Sequence, residues 1–481
     1  MSKPLPFVAL AAVLTPLLFT RCASPKMLNR LDENRSTQPA ILSHLGHVWR
    51  ATAVSFARAP VSTARSGVAV AVHRTRAFLS GSIPLPAIKP NTSGTPAPGT
   101  EDFERFLDQH RLPARTSGKV KLLVDGRRFF PDFIREAKKA KVSIDTQSFI
   151  FDNDDFGVGM ADLLKQRAEE ISVRVVFDSI GTRSAHKVEP ETKPPAGFTP
   201  PAYMGKYLKK DHSHIGLRTT SNPFLLCDHT KIHVIDHRIG YTGGMNFGRE
   251  YKSEWHDLMA RLEGPVVSEL QAVFDDHWNR ESWVRNWTFG NSRHTQPAST
   301  GEPPPAESIP LRVLRTDSSR ATYQIVRAFR AAIAGARQRV WVHTPYLAEE
   351  GIIADLIAAT RRGVQVRVIV PGKNDSGFME KVNYQAADKL VKAGASVFAY
   401  PGMTHLKVVI CDQWGMFGSA NCDTLSLKLN RELNLASSAP ALVRDLERQV
   451  FLPDFKVSRP ITAAMTEEKK SPLADAAGNQ L

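Results

Sequence analysis

The pattern His-x-Lys-(four residues)-Asp occurs twice in this chain, as His229-Thr-Lys231-Ile-His-Val-Ile-Asp236 and as His405-Leu-Lys407-Val-Val-Ile-Cys-Asp412. A repeated motif limits the fold before any other reading, because two like segments in one chain imply two like units. In each copy His and Lys are two apart, and alternate apolar residues follow: Ile232 and Val234, or Val408 and Ile410. That spacing predicts a strand whose side chains alternate faces, with each His on the face of its Lys. Both copies lead into a turn ending in Asn, Gly243-Gly244-Met-Asn246 and Gly418-Ser419-Ala-Asn421. A carboxylate follows each turn at a nearly equal distance, Asp257 in Trp255-His256-Asp257 and then Glu432. Four elements recurring in one order argue against two unrelated histidines that happen to lie near lysines.

The repetition extends upstream. Residues 127–139 read as an amphipathic helix before a strand-like stretch at 142–150, and 323–337 precede 339–346 in the same way. A second helix and strand follow in each half, 160–170 with 173–177 and 352–362 with 364–370. Strands alternating with helices predict an α/β fold of two related lobes. Each is a mainly parallel β-sheet flanked by helices, and each gives one motif to a shared cleft.

These residue types suit transfer at a phosphodiester. Such a substrate is an anion that repels nucleophiles, so its nonbridging oxygens must be neutralised, a nucleophile supplied and the departing alkoxide protonated. Lys231 and Lys407, with donors from Asn246 and Asn421, can hold the phosphate from two sides. One neutral imidazole can attack while the other, protonated, gives its proton to the leaving oxygen. The paired lysines and asparagines take over the charge neutralisation that metals perform elsewhere, so no metal and no cofactor is expected.

The chain resembles the phospholipase D superfamily, and within it the bacterial cardiolipin synthase branch. The resemblance covers about residues 119–455. It rests on both motifs, on Ser143-Ile-Asp-Thr-Gln-Ser-Phe-Ile-Phe-Asp152, on Thr344-Pro345-Tyr346, on Arg361-Arg-Gly-Val-Gln-Val-Arg-Val-Ile-Val-Pro-Gly372 and on Gly418-Ser-Ala-Asn421. It implies His229 as nucleophile, passing through a phosphohistidine, and His405 as general acid and base. It also implies that Asp257 and Glu432 hydrogen-bond the far nitrogen of an imidazole and fix its tautomer. The two copies are too alike for the order of the histidines to follow from the residues themselves.

Asp236 and Asp412 share the motif's lettering but lie at the far end of the strand from His and Lys. They are expected to end the strand or pair a charge, although the motif places them among the candidate catalytic residues. Asp152, Asp154 and Asp155 are expected in a solvated turn, since their spacing is not that of a calcium loop. His212, His214 and His233 are expected in surface or supporting roles, and Cys227, Cys411 and Cys422 show no metal spacing.

A net charge of +15 and a pI near 9.7 favour anionic partners, phospholipid surfaces or nucleic acid, without choosing between them. Lys3 before an apolar run over 5–19 reads as an export segment, with Cys22 placed where a lipid-bearing cysteine would stand. The expected layout is 1–26 targeting segment, 27–110 basic, partly disordered linker, 111–290 first lobe and 291–308 linker. The second lobe then takes 309–457 and a polar tail 458–481. The insertion at 181–226 is either a lid over the cleft or a surface loop. The expected enzyme is exported and associated with the bacterial envelope membrane, transferring phosphatidyl groups between anionic phospholipids or to water. The alternative is an exported nuclease of the same superfamily.

Overall fold

The alternating apolar stretches of both halves become strands of a single sheet. The computed structural model describes residues 52–53, 55–56, 59–82, 94–186, 191–220, 222–281 and 305–469. The first half contributes β1 (Thr116–Val124), β2 (Ser143–Ser148), β3 (Ser172–Asp178), β4 (Gly216–Thr220), β5 (Ile232–Ile235), β6 (Ile239–Gly243) and β7 (Leu258–Glu263). The second contributes β8 (Ile309–Asp317), the short β9 (Thr322–Tyr323), β10 (Arg339–His343), β11 (Gln365–Pro371) and β12 (Ser396–Tyr400). It continues with β13 (Val408–Cys411), β14 (Trp414–Gly418), β15 (Glu432–Ser437) and β16 (Arg459–Pro460).

The strand order is β16-β12-β11-β10-β13-β14-β15-β8-β1-β7-β6-β5-β2-β3-β4, with β9 attached to β8. Read outward from the β8–β1 seam, the two halves have the same order, so the motif repeat is a repeat of whole lobes. At the seam β1 and β8 are antiparallel, Thr116 opposite Leu311 and Gly118 opposite Ile309. The expected mainly parallel sheets are corrected to mixed ones. β2, β3 and β4 run parallel, as do β10, β11 and β12. β5 and β6, and β13 and β14, are antiparallel hairpins. The motif strand turns back at once through Asp236 or Asp412, and only strands joined by long connections can run parallel.

Helices cover the sheet for the reason their spacing gave. Phe129, Phe130, Phe133 and Ala137 line one side of the helix Gly126–Lys139 and pack into the first lobe's core with Ile144, Phe151 and Phe247. On the second lobe, Ile325, Phe329 and Ala332 of the helix Gln324–Gly335 do the same against Val340, Val342 and Val368. A further cluster takes residues from both lobes, among them Leu262, Leu270, Leu311, Phe417 and Leu435, so the seam carries its own apolar core.

Two boundaries move. The stretch expected as a linker at 27–110 contains the helix Pro60–Ser82, whose Thr63, Ser66 and Val70 recur at helical spacing and are buried. It also contains the helix Glu101–Gln109, whose Phe103 and Leu107 enter the second lobe's core. Glu104 of that helix is tied to the buried Arg312 at 2.7 Å. The tail expected from 458 still carries β16, paired with β12, and the helix Ala463–Glu468. The targeting segment at 1–26, Cys22, the linker at 291–304 and the end of the tail lie outside the described residues. Among the described residues no helix is long and apolar enough to cross a membrane.

Asp236 and Asp412 occupy equivalent places at the far ends of β5 and β13. Each has a left-handed backbone, φ 54° and 48°, which Asp tolerates because its short polar side chain can bond locally. The Asp236 carboxylate accepts from the backbone N–H groups of Lys141, Val142 and Ser143 at 2.8–3.1 Å. Asp412 accepts from those of Arg337, Gln338 and Arg339 at 2.8–2.9 Å. Both therefore cap the start of the neighbouring strand, and neither reaches a motif histidine. Burial opposes the charge of Asp236, but the three N–H donors hold its carboxyl below the usual range. Its contribution to stability is full above that ordinary range and is lost as pH falls through the lowered value. Asp236→Ala is expected to cost about 2–3 kcal/mol of stability by stranding these donors, while kcat of the folded protein stays within about 2-fold. Urea unfolding beside initial rates checks this, and a rate loss without a stability loss would contradict it.

Candidate active site

His229 and Lys231 stand just ahead of β5, and His405 and Lys407 just ahead of β13, in stretches that the opposite lobe holds. Asp228 bridges to Arg431 and Thr404 to His256. The His229 N–H donates to the Arg431 carbonyl at 2.9 Å, and the His405 N–H to the His256 carbonyl at 2.7 Å. Each motif is thus seated on the chain of the other lobe, directly beside that lobe's orienting carboxylate. The strand-face reading of His and Lys gives way to this bridge geometry, because both residues precede the regular strand.

The carboxylates are exchanged between lobes. Asp257 of the first lobe accepts from Nδ1 of His405 at 2.7 Å, and Glu432 of the second lies 3.0 Å from Nδ1 of His229. Nδ1 being engaged, Nε2 of each ring is left for chemistry. Gly244 makes room for Asp257, since a Cβ there would lie 2.2 Å from its Oδ1. Its counterpart Ser419 instead gives its hydroxyl to Glu432. The same turn position serves the shorter carboxylate by absence and the longer one by a hydrogen bond.

Lys231 donates to the His229 carbonyl at 2.7 Å and Lys407 to the His405 carbonyl at 2.6 Å. All four motif residues are buried. Burial, reinforced by the two lysines, holds both imidazoles well below their ordinary pKa, so both rings are neutral before an anion arrives. Burial also pushes the carboxyls of Asp257 and Glu432 up, against the pull of the lysines. An arriving phosphate supplies the charge this pocket lacks, and favours protonation of one imidazole.

The lysines feel the same burial, which lowers Lys231 to about 7 and Lys407 to about 8. Only the protonated form grips a phosphate, so kcat/KM is expected to fall as pH rises through about 7 to 9, with kcat falling later because bound anion retains the proton. Initial rates from about pH 6 to 10 check this, and a flat kcat/KM across that range would contradict it.

The asparagines differ. Asn246 Oδ1 accepts from the Ile150 N–H at 3.1 Å, and its buried amide nitrogen, beside the Tyr251 hydroxyl, is the donor it can offer an anion. Asn421 bonds Asp423, a buried carboxyl that burial raises to about 7. Aromatic rings flank the histidines: Phe149 lies 4.8 Å from His229, and Trp255 and Tyr251 lie 5.4 and 5.5 Å from His405.

Sequence reasoning missed Ser419, Asp423 and the flanking rings, whose only signal was proximity to the motifs. It also missed the charges behind the carboxylates. Arg431 lies 3.3 Å from both Asp228 and Glu281. His256 sits between Asp125 at 2.6 Å and Asp454 at 3.1 Å. Burial works against the charge of His256, but those two carboxylates raise its pKa to about 10. Two expectations are corrected. Asp152 and Asp154 are buried, not solvated, because Asp154 caps the helix Asp155–Ala168 through the Gly157 N–H; Asp155 pairs with Arg249. His233 belongs to the first lobe's core, stacked 5.0 Å from Phe247 with Nδ1 on Thr146. The exposed His214 lies 3.3 Å from Glu169.

The insertion contributes β4 to the sheet, and its Thr192 is held by Glu254 at 3.1 Å. Glu191 reaches Lys373 of the other lobe at 3.9 Å. It therefore crosses between the lobes near the site.

Residues 133–278 and 329–451 match the family described as cardiolipin synthase, PLD-like domain. The chain is 30% identical over 375 residues to the cardiolipin synthase A of Pseudomonas syringae pv. syringae (strain B728a), spanning 75% of this chain and 73% of that protein. It is 30% identical over 365 residues to the cardiolipin synthase A of Pseudomonas putida, spanning 73% of this chain and 71% of that one. The fold is similar to that of a phosphatidylserine synthase from Haemophilus influenzae Rd KW20, with a TM-score of 0.57 at 13% identity, over 78% of this chain and 95% of that one.

Proposed function

This chain belongs to the cardiolipin synthase family of phospholipase D-like enzymes, and from that premise we propose that it transfers phosphatidyl groups between anionic phospholipids through a phosphohistidine. The observation that carries this reading is the exchanged pairing of His229 with Glu432 and His405 with Asp257 over two buried lysines. The donor phosphate sits between Lys231 and Lys407, with the Asn246 amide on a nonbridging oxygen. Nε2 of neutral His229 attacks phosphorus, and His405, protonated in the presence of the phosphate, gives its proton to the departing alkoxide. His405, now neutral, takes the proton of an incoming alcohol or water, whose oxygen forms the new P–O bond. The P–N bond breaks and its electron pair returns to His229.

Phosphatidylglycerol serves as donor and as acceptor, giving cardiolipin, and water in its place gives phosphatidic acid. The apolar Phe149 and Ile150, packed with Ala185 at the His229 side, suit the lipid end of the donor. The enzyme works at the envelope membrane, where its basic charge meets anionic headgroups.

The test incubates the full chain with chelator on acyl-labelled phosphatidylglycerol vesicles and, separately, on single-stranded DNA. Cardiolipin or phosphatidic acid from the first, with intact DNA in the second, is the expected result. Cleaved DNA with untouched lipid would make the protein a nuclease and overturn the reading.

A further inference from the structure

Each orienting carboxylate is preceded in the chain by a cation, and the two cations differ. Arg431 stands ahead of Glu432 and His256 ahead of Asp257. The backbone carbonyl of each accepts from the N–H of the opposite lobe's motif histidine, at 2.9 and 2.7 Å. Arg431 finds a carboxylate in Asp228, the residue just before His229, at 3.3 Å. The residue just before His405 is Thr404, which has no charge to give. His256 takes its counter-charges from further away. Asp125, which follows β1 of the first lobe, lies 2.6 Å from Nδ1, and Asp454, on the helix Leu452–Val457 of the second, lies 3.1 Å from Nε2.

With a carboxylate at each ring nitrogen, His256 is an imidazolium clamped between the lobes. Its ring lies flat on Tyr400, the centroids 4.9 Å and the planes 9° apart, an arrangement that favours a cation on an aromatic face. Two routes lead from this clamp to the acid–base half of the site. Asp125 Oδ1 also accepts from the Asp257 N–H at 3.3 Å, and the Asp125 N–H donates to the Asp257 carbonyl at 2.8 Å. On the other side, the same Asp454 oxygen lies 3.2 Å from Nδ1 of the buried His343, whose Nε2 is 2.8 Å from the Thr404 hydroxyl. The routes end on the carboxylate that holds His405 and on the residue just before His405.

We propose that His256 is a positioning residue for the acid–base half of the reaction. Shared by Asp125 and Asp454, it holds Asp257 and the His405 segment in the one arrangement in which Nε2 of His405 can exchange a proton with substrate. This rests on the phosphatidyl-transfer reading above. The nucleophilic half does not pass through His256, because His229 is oriented by Glu432 and seated on Arg431.

The charge of His256 matters as well as its shape. Asp257 is faced by Lys407, Lys231, His256 and His405, with the Tyr251 ring nearby. Of these cations the two lysines are committed to the phosphate, so His256 is the one that stays with Asp257 throughout. His256 in turn is faced by Asp125, Asp454, His343 and Tyr400. Without its charge the buried Asp257 takes up a proton more readily, and a neutral carboxyl no longer supports the imidazolium form of His405.

The experiment compares wild type, His256→Gln and His256→Arg on phosphatidylglycerol vesicles and on phosphatidyl-p-nitrophenol, whose nitrophenolate leaves without a proton. The arginine variant copies Arg431 of the other lobe and so keeps the charge. His256→Gln should lower steady-state turnover about 100-fold, yet release a burst of about one nitrophenolate per folded enzyme at a rate within about 3-fold of wild type. The acid limb of its kcat profile should move up by about 1 pH unit. His256→Arg should bring the limb back and restore turnover to within about 10-fold of wild type. Wild-type turnover with an unmoved limb in His256→Gln would overturn the proposal. So would a burst lost in step with turnover, the mark of general damage to the site. If His256→Gln does not fold, Asp454→Asn reads the same clamp from its other end. Turnover should then fall about 10-fold with the burst intact, and wild-type turnover there would overturn the proposal. A wild-type protein that consumes neither phospholipid would instead overturn the reading on which the proposal rests.

Discussion

His229→Asn and His405→Asn should each lower turnover on phosphatidylglycerol by at least about 10⁴-fold while the far-ultraviolet spectrum stays that of wild type. The size follows from the chemistry, since one loss removes the atom that forms the covalent bond and the other the proton carrier for both half-reactions. The two variants should part company on a substrate whose leaving group needs no proton. With phosphatidyl-p-nitrophenol, His405→Asn is expected to release about one nitrophenolate per enzyme and then stall, because His229 can still attack but nothing activates the acceptor. His229→Asn should give no burst. A burst in His229→Asn and none in His405→Asn would reverse the assignment, which the near-symmetry of the two motifs leaves to experiment.

Asp257→Asn and Glu432→Gln are the second pair of large effects, and their pattern is crossed. Each amide is nearly isosteric with the acid it replaces, so the fold should hold, but it can present N–H where the imidazole also needs to donate. The wrong tautomer then dominates, and a loss of about 10³–10⁴-fold in kcat is expected. Asp257 holds His405 at 2.7 Å, so Asp257→Asn should copy His405→Asn and keep the nitrophenolate burst. Glu432 holds His229, so Glu432→Gln should lose the burst with it. If each acid variant instead resembled the histidine variant of its own lobe, the exchanged pairing would be wrong.

The sequence carried the lobes, the motifs and the identity of nearly every central side chain, because a spacing of two between His and Lys and a fixed run to the next carboxylate survive as letters. It did not carry the exchange, since Asp257 and Glu432 each follow their own motif in the chain and only the β-bridges at Asp228–Arg431 and His256–Thr404 bring them to the other. Sheet direction was illegible for a related reason. Apolar alternation reports a strand and its faces, whereas the hairpins at Asp236 and Asp412 decide which way the next strand runs. His233 was misread because its place in the chain, between Ile232 and Val234, gives no hint that Phe129, Phe133 and Phe247 will enclose its ring. The helix Pro60–Ser82 was misread because small residues such as Thr63 and Ser66 make a buried face that hydropathy does not register.

The paired bridges also govern how anything reaches the reacting centre. A hinge motion that drew the lobes apart would break both imidazole–carboxylate bonds together, along with the continuous sheet across β8 and β1. The catalytic constellation in consequence exists only with the lobes in contact, which argues against a clam-like gape before each turnover. Entry falls to the rim, where the exposed Glu191–Lys373 pair spans the lobes at 3.9 Å.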